Sequence, residues 1–286
     1  MLNRQRILIV MLREAKRPVS KLELTKWAFV ARMETSIGEN ASFYDFVPYH
    51  YGPYSFSLAR ELGTLADQGY VSESNNEWLL GSVADAGTLP ASTHREARQI
   101  VARFAGRSTD RLIDYVYESY PIFTVNSRRK QLAQRAVATP AVYTAGYEGL
   151  QVDGFLNLLV QNGIRRLIDV RNNPVARRFG FHKSTLTRLC NLLEIEYVHE
   201  PDLGIASSER QSLDTVADYS VLFDRYERTT LPARGAEIER VVALIKELPS
   251  VLVCMEADPC MCHRTRLAAI VEKQTGLPIV HLKAER

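Results

Sequence analysis

Ser250-Val-Leu-Val-Cys-Met-Glu-Ala-Asp-Pro-Cys-Met-Cys-His-Arg264 holds three of the four cysteines of the chain, and its reading decides the fold. Val251, Leu252 and Val253 form an unbroken apolar run, the pattern of a central parallel strand covered on both faces. Past the loop, Leu267, Ile270 and Val271 recur at helical spacing. Gly276 and Pro278 stop that helix before a last short strand, Ile279 to Leu282. A strand over 250–255 that hands over to a helix opening near His263 puts this elbow at the carboxyl edge of a sheet. Open α/β sheets bind ligands there, and free backbone N–H groups and the helix dipole favour anions.

Upstream of the elbow, strands and helices alternate. Val142 to Thr144, Arg166 to Val170 and Tyr197 to His199 read as strands; Val152 to Gln161, Ser184 to Leu193 and Glu237 to Glu247 read as helices. This order predicts right-handed βαβ units and an α/β domain over 141–286 with a mainly parallel, open, Rossmann-like sheet. One long irregular insertion, Glu200 to about Val216, has the size of a lid or binding loop.

The first 84 residues have a different period. Gln5 to Glu14 and a segment from Leu22 to Val30 read as helices, the second capped by Ser20. Phe43 to Tyr54, broken by Pro48, Gly52 and Pro53, reads as a structured loop, and Ser55 to Gln68 as a third helix. Tyr70-Val71 and Trp78 to Leu80 flank Ser74-Asn-Asn76 as a hairpin. Three helices and a hairpin are the order of a winged helix. Residues 85–140, with helical patterns over Glu96 to Phe104 and Ser108 to Tyr120, read as a helical bridge. From Tyr54 to Gly69 the charges are Arg60 against Glu61 and Asp67, a net of −1, which argues against a duplex-reading helix.

The 286 residues suit two domains, and 46% hydrophobic residues can fill their cores. A net charge of +3 does not by itself mark a nucleic-acid binder. The chain has no 18-residue apolar run, so no membrane span is expected, and a soluble cytoplasmic protein is. Four cysteines in such a protein fit reduced, catalytic or metal-bound thiols better than a disulfide framework.

Five ordered motifs resemble one family. They are Thr144-Ala-Gly-Tyr-Glu-Gly149; Ile168-Asp-Val-Arg171 with Pro174; Arg177-Arg-Phe-Gly-Phe181; Ile195-Glu-Tyr-Val-His199 with Pro201-Asp-Leu-Gly204; and Cys254 through Cys262-His-Arg264. Together, over about residues 141–282, they resemble the domain of unknown function 488. The resemblance implies an α/β fold and a site built from these motifs, and no activity. Here Gly204 is followed by Ile205-Ala-Ser207 and not by a second glycine. Tyr49-His-Tyr-Gly-Pro-Tyr54, ahead of the third helix, resembles the winged-helix part of Panacea-type antitoxin proteins.

The candidate chemistry gathers at the strand ends. Tyr147 and Glu148 follow the first strand of the α/β domain, where Gly146 and Gly149 let backbone approach a ligand or make a plain turn. Asp169 and Arg171 share one face of the next strand, as acid–base and phosphate groups or as a pair that braces a loop. From Arg165 to Arg188, seven basic residues stand against Asp169 alone, a local +6 that reads as a phosphate rim with Arg177 and Arg178 at its centre. Phe181, beside them, suits base stacking or the core. At the elbow, Cys262 and His263 are candidates for nucleophilic or acid–base work with Glu256, and Arg264 and His199 for binding. A metal held by Cys254, Cys260, Cys262 and His263, with His199 as a further candidate ligand, is another reading. However, C-x-C-H is not the usual C-x2-C spacing, and successive helical residues point about 100° apart, so no metal ligands are assigned.

The expected function is an enzyme, hydrolase or lyase in type, acting on a nucleotide or nucleic acid, with a modified or damaged base among its substrate classes. The competing readings are a non-catalytic nucleic-acid-binding or regulatory module and a metal-binding protein. No cofactor is named by the sequence. A homo-oligomer or protein partner is expected through the amino-terminal domain.

Overall fold

The structure, a computed structural model, describes residues 1–83, 86–210 and 215–284. It divides into two compact units with a boundary between 135 and 136, so all but the last five residues of the expected bridge lie in the same unit as the first 84 residues.

In the amino-terminal unit, α1 (Asn3–Ala15), β1 (Val19–Ser20) and α2 (Lys21–Glu34) are followed by the hairpin β2 (Val47–Tyr49) and β3 (Gly52–Tyr54). Then come α3 (Phe56–Asp67) and the hairpin β4 (Val71–Ser74) and β5 (Glu77–Leu80), and after them α4 (Ala91–Phe104) and α5 (Thr109–Ser119). Side chains of Ser20, Ser55 and Ser108 accept from the first-turn N–H groups of α2, α3 and α5, and so satisfy donors that no helix can pair internally. Asn75 and Asn76 both take positive φ, as a tight hairpin turn requires. The order and the sheet β1-β5-β4 are compatible with a winged helix. The segment read as an aromatic loop holds β2 and β3. Pro48 faces Pro53 across that ladder, and because neither ring can donate, the pairing is invisible to strand propensity. Glu61 of α3 is buried and accepts from Arg4 and Tyr44, so it is internal, and Arg60 and Asp67 are left as the exposed charges of that helix.

The second unit is a five-stranded parallel sheet in the order β10-β6-β9-β7-β8. Its strands are β6 (Val142–Gly146), β7 (Arg166–Asp169), β8 (Glu196–His199), β9 (Ser250–Cys254) and β10 (Ile279–Leu282). Among the described residues, five α-helices connect them: α6 (Val152–Gln161), α7 (Lys183–Leu192), α8 (Val216–Arg225), α9 (Gly235–Glu247) and α10 (His263–Thr275). The three inner strands, β6, β9 and β7, are buried throughout, as their continuous apolar runs require. The connection leaving β6 runs past β9 to β7, while that leaving β9 runs past β6 to β10. The two chains therefore diverge at neighbouring strand ends, where sheets of this kind bind ligands. One sheet face carries Val142, Ile168, Val170, Leu252 and Cys254, packed with Leu222, Phe223, Tyr226, Ile238, Val241, Leu267 and Val271 of α8 to α10 and the turn after α8.

Helix α8 was not expected. The insertion read as irregular from Glu200 to about Val216 holds 3-10 turns at Pro201–Leu203 and Ser207–Arg210, and residues 211–214 lie outside the described residues. Among the described residues, no helix is long and apolar enough to cross a membrane.

Candidate functional site

Strand β9 ends at Cys254, and the chain turns directly over the end of β6. A Cβ on Gly146 would strike the Glu256 carbonyl and Ala257, so the close approach of the elbow requires glycine there. A 3-10 turn, Pro259–Met261, then returns the chain, with Asp258 capping it through the Cys260 N–H. Cys262 takes φ −139° and ψ 136° as the N-cap residue of α10, and His263 is the first residue of that helix.

Four side chains converge here. One donor atom each from Cys254, Glu256, Cys262 and His263 lies within 4.8 Å of all the others. Glu256 Oε2 accepts from Cys254 Sγ at 2.9 Å and from Cys262 Sγ at 3.0 Å, while His263 Nδ1 lies 3.7 Å and 3.9 Å from the two sulfurs. A tetrahedral zinc with Zn–S of ~2.3 Å and Zn–N of ~2.0 Å separates its ligand atoms by about 3.5–3.8 Å, so the sulfur–nitrogen spacings already fit. Nε2 of His263 donates to the Val170 carbonyl at 3.1 Å, which turns the Nδ1 lone pair toward the thiols. A carbonyl on the far ring nitrogen is the usual orienting partner of a ligand histidine. The edge of His263 also meets the Tyr226 ring, with centroids 5.4 Å apart.

Cys262 and His263 converge despite the step of about 100° between successive helical residues, for a local reason. Cys262 is extended, one residue outside the helix, so the helical step does not separate its side chain from that of His263. Cys260 is exposed and stands apart from the four.

The electrostatics of the cluster are those of crowded anions. A hydrogen bond from Cys262 and the imidazole of His263 hold the Cys254 thiol well below its ordinary range, against the burial that opposes ionisation. Burial and the Cys254 thiolate push the Cys262 thiol well up, and burial followed by the same thiolate raises the Glu256 carboxyl. Arg210 lies across the outer side, 3.2 Å from Glu256 Oε1 and 3.4 Å from His263 Nδ1. Arg264, expected to bind phosphate, is buried; its guanidinium donates to the carbonyls of Glu256 and, at 3.3 Å, Ala257. It clamps the elbow from within.

A second cluster lies on the other sheet face. Asp169 pairs in register with Val253, not Cys254, so the pleat directs its side chain away from the thiols. Arg171 grips its carboxylate at 2.8 Å and 2.5 Å, and donates also to Tyr147 Oη at 2.7 Å and the Phe181 carbonyl at 3.0 Å. Tyr197 donates to the same carboxylate at 2.6 Å. Phe181 is fully buried and stacks on Tyr147 with centroids 4.0 Å apart, so its ring has no face to offer a base. His199 bridges Lys183 Nζ (2.9 Å) and the Arg171 carbonyl (2.9 Å). Glu148, exposed, accepts from the Ala257 N–H at 3.0 Å and ties the β6 loop to the elbow.

The predicted residues thus separate into two groups. Glu256, Cys262 and His263 come together with Cys254, while Asp169 and Arg171 form the loop brace that was the pair's alternative reading, with Tyr147, Phe181 and His199 gathered about it. The basic rim is smaller than the +6 run suggested: Arg165 pairs with Glu194, and Arg166, at the amino end of β7, with Glu196 and Glu247. Arg177, Arg178 and Arg188 are exposed and have no acidic partner among the described residues. Arg210 was not predicted, since the insertion carries no period that would aim it at the elbow. Cys254 was legible as a metal candidate near the end of an unbroken apolar strand, without being assigned to the site.

Residues 151–271 match the model of one family, the domain of unknown function DUF488. The match lies inside the α/β unit and bears out the resemblance read from its motifs. It takes in both clusters except Tyr147 and Glu148, which precede it. The departure from that family after Gly204 has a visible reason. Ile205 is buried in the core under α8 and α9, and Gly204 packs against the backbone of Asn172, where no Cβ would fit. No curated protein and no solved structure matches the chain.

Proposed function

We propose that the α/β unit is a metal-dependent enzyme, hydrolase or lyase in type, acting on a nucleotide or nucleic acid. Cys254, Cys262, His263 and Glu256 would hold a zinc-class ion, since thiolate and imidazole ligands select such metals. The observation that carries the reading is the convergence of those four ligand atoms within 4.8 Å at a diverging pair of strand ends. The crowded negative charge supports it too: a divalent cation would offset both the burial and the Cys254 thiolate that raise Glu256 and Cys262. Glu256 is the one ligand that is only half-buried, and it faces Arg210, so the open side of the site meets a cation suited to a phosphate. Arg177, Arg178 and Arg188 supply further phosphate contacts from the loop after β7 and from α7. The winged-helix-like amino-terminal unit serves assembly or partner choice in this reading.

The test is metal analysis of the protein purified without added metal, followed by turnover assays on a nucleotide and oligonucleotide panel. About one ion per chain, lost in Cys262→Ser and His263→Ala together with activity, is the expected result. A metal-free protein that turns over the same substrates would refute the metal, and a stoichiometric ion without any nucleotide or oligonucleotide turnover or binding would leave the structural-metal reading in its place.

A further inference from the structure

A cavity of about 610 Å³ lies within the amino-terminal unit, bounded by α2, the β2–β3 hairpin, α3 and the β4–β5 hairpin. Small-molecule sites typically measure ~300–1,000 Å³. Tyr49, Tyr54, Leu58, Leu62 and Trp78 give it aromatic and aliphatic walls, and the Tyr49 and His50 rings stack 4.0 Å apart at one side. Lys26 of α2 is part of the same wall and is 1% exposed. Its ammonium donates to a single acceptor, the Pro53 carbonyl at 2.7 Å, and no carboxylate pairs with it among the described residues. The neighbouring Lys21 differs, because its charge is met by Glu73 at 2.5 Å and by the Trp78 ring.

A buried ammonium has three donors, and leaving its charge uncompensated is among the costliest arrangements in a protein interior. A glutamine or methionine would fit a purely structural wall at lower cost. The indole N–H of Trp78, a residue of the same wall, is also buried without an acceptor in the protein. Burial lowers the Lys26 ammonium to about 7, and no acid counters it. The missing element is an anionic acceptor attached to a body that suits apolar walls.

We propose that this cavity binds a small aromatic carboxylate, its ring between the tyrosines and Trp78 and its carboxylate on Lys26. A polyanion does not fit the same wall, since Lys21 is already neutralised by Glu73 and the one remaining ammonium is internal. The site is independent of the thiol cluster and of the activity proposed there.

The test titrates the full chain calorimetrically with 1-naphthoate and with neutral 1-naphthamide. Naphthoate should bind at least ten-fold more tightly than the amide, and Lys26→Met should abolish that preference while the weak amide binding persists. Gly63 lines the cavity and its Cβ direction is open, so Gly63→Leu fills the space on a helical residue that gains helix propensity. That variant should fold and lose both ligands, and it carries the test should Lys26→Met fail to fold. Equal affinity for acid and amide, undiminished naphthoate binding in Lys26→Met or Gly63→Leu, or binding of neither compound would each overturn the proposal.

Discussion

The Asp169 cluster and the Cys254 cluster sit at the ends of two neighbouring strands, β7 and β9, yet on opposite faces of the sheet. Around Asp169 the charges cancel: a bidentate arginine, a tyrosine hydroxyl and a backbone N–H saturate the carboxylate, and Arg171 spends its remaining donors on Tyr147 and Phe181. Burial would lower the Arg171 guanidinium, but Asp169 more than offsets this and keeps it above its ordinary value. Around Cys254 the charges cancel only in part. Two thiols and a carboxylate share their protons, and the nearest cations, Arg210 and Arg264, reach only the periphery or the backbone. A polar cluster that satisfies itself braces a loop, and one that leaves charge over is a candidate for binding.

The comparison breaks most readily at Asp169. Asp169→Ala strands a buried guanidinium, so the second unit should lose about 3–5 kcal/mol in denaturant titration, while metal content per folded chain stays unchanged. Loss of the ion with retained stability would show that the two clusters are one site. Next in size is the effect of the proposed metal. Chelation, or Cys262→Ser, should destabilise the same unit by roughly 3–4 kcal/mol, the linkage expected at ~100–1,000 times the dissociation constant. Asp169→Ala with excess metal tests whether the two losses add, as separate sites should.

Lys26 extends the same contrast to the amino-terminal unit, as a buried charge that nothing compensates. Its ammonium is lowered to about 7, so the unfolded chain binds more protons from there to its ordinary value near 10.5. Its penalty is therefore fully present below about pH 7 and is relieved as pH rises to ~10.5, with a slope of at most about 1.4 kcal/mol per unit. The groups facing it across the cavity are Lys21, Glu73, His50 and the tyrosines 49, 51 and 54, which are common to both proteins in the comparison. Stability of wild type minus Lys26→Met should rise across that window; a flat difference would mean that Lys26 is compensated after all. The smallest effect on stability belongs to the rim. Arg177→Ala with Arg178→Ala should change it by less than about 0.5 kcal/mol, yet weaken oligonucleotide binding and reduce its log–log salt slope by roughly 1–2. An unchanged slope would remove these arginines from the phosphate contacts.

How much was legible follows from the range of each signal. The alternation of β6 to β10 with helices, the family motifs and the elbow from Ser250 to Arg264 were readable, because buried strands and amphipathic helices impose periods on neighbouring residues. Three things were not. Pro48 and Pro53 hid a hairpin, since they pair without donating. Arg210 reached Glu256 across 46 residues, a distance over which the chain carries no local pattern. The local +6 counted Arg165 and Arg166 as rim residues, although their glutamate partners come from other segments.

By itself, then, the sequence determined the class of fold and which strand ends gather the candidate residues, because both follow from the spacing of residues along one stretch of chain. Only the tertiary structure decided which residues share a site. That depended on the register of β7 against β9, which turns Asp169 and Cys254 to opposite faces, and on the extended backbone of Cys262, which lets its thiol meet His263. A shift of one residue in either would exchange the partners, and no periodicity in the chain records it.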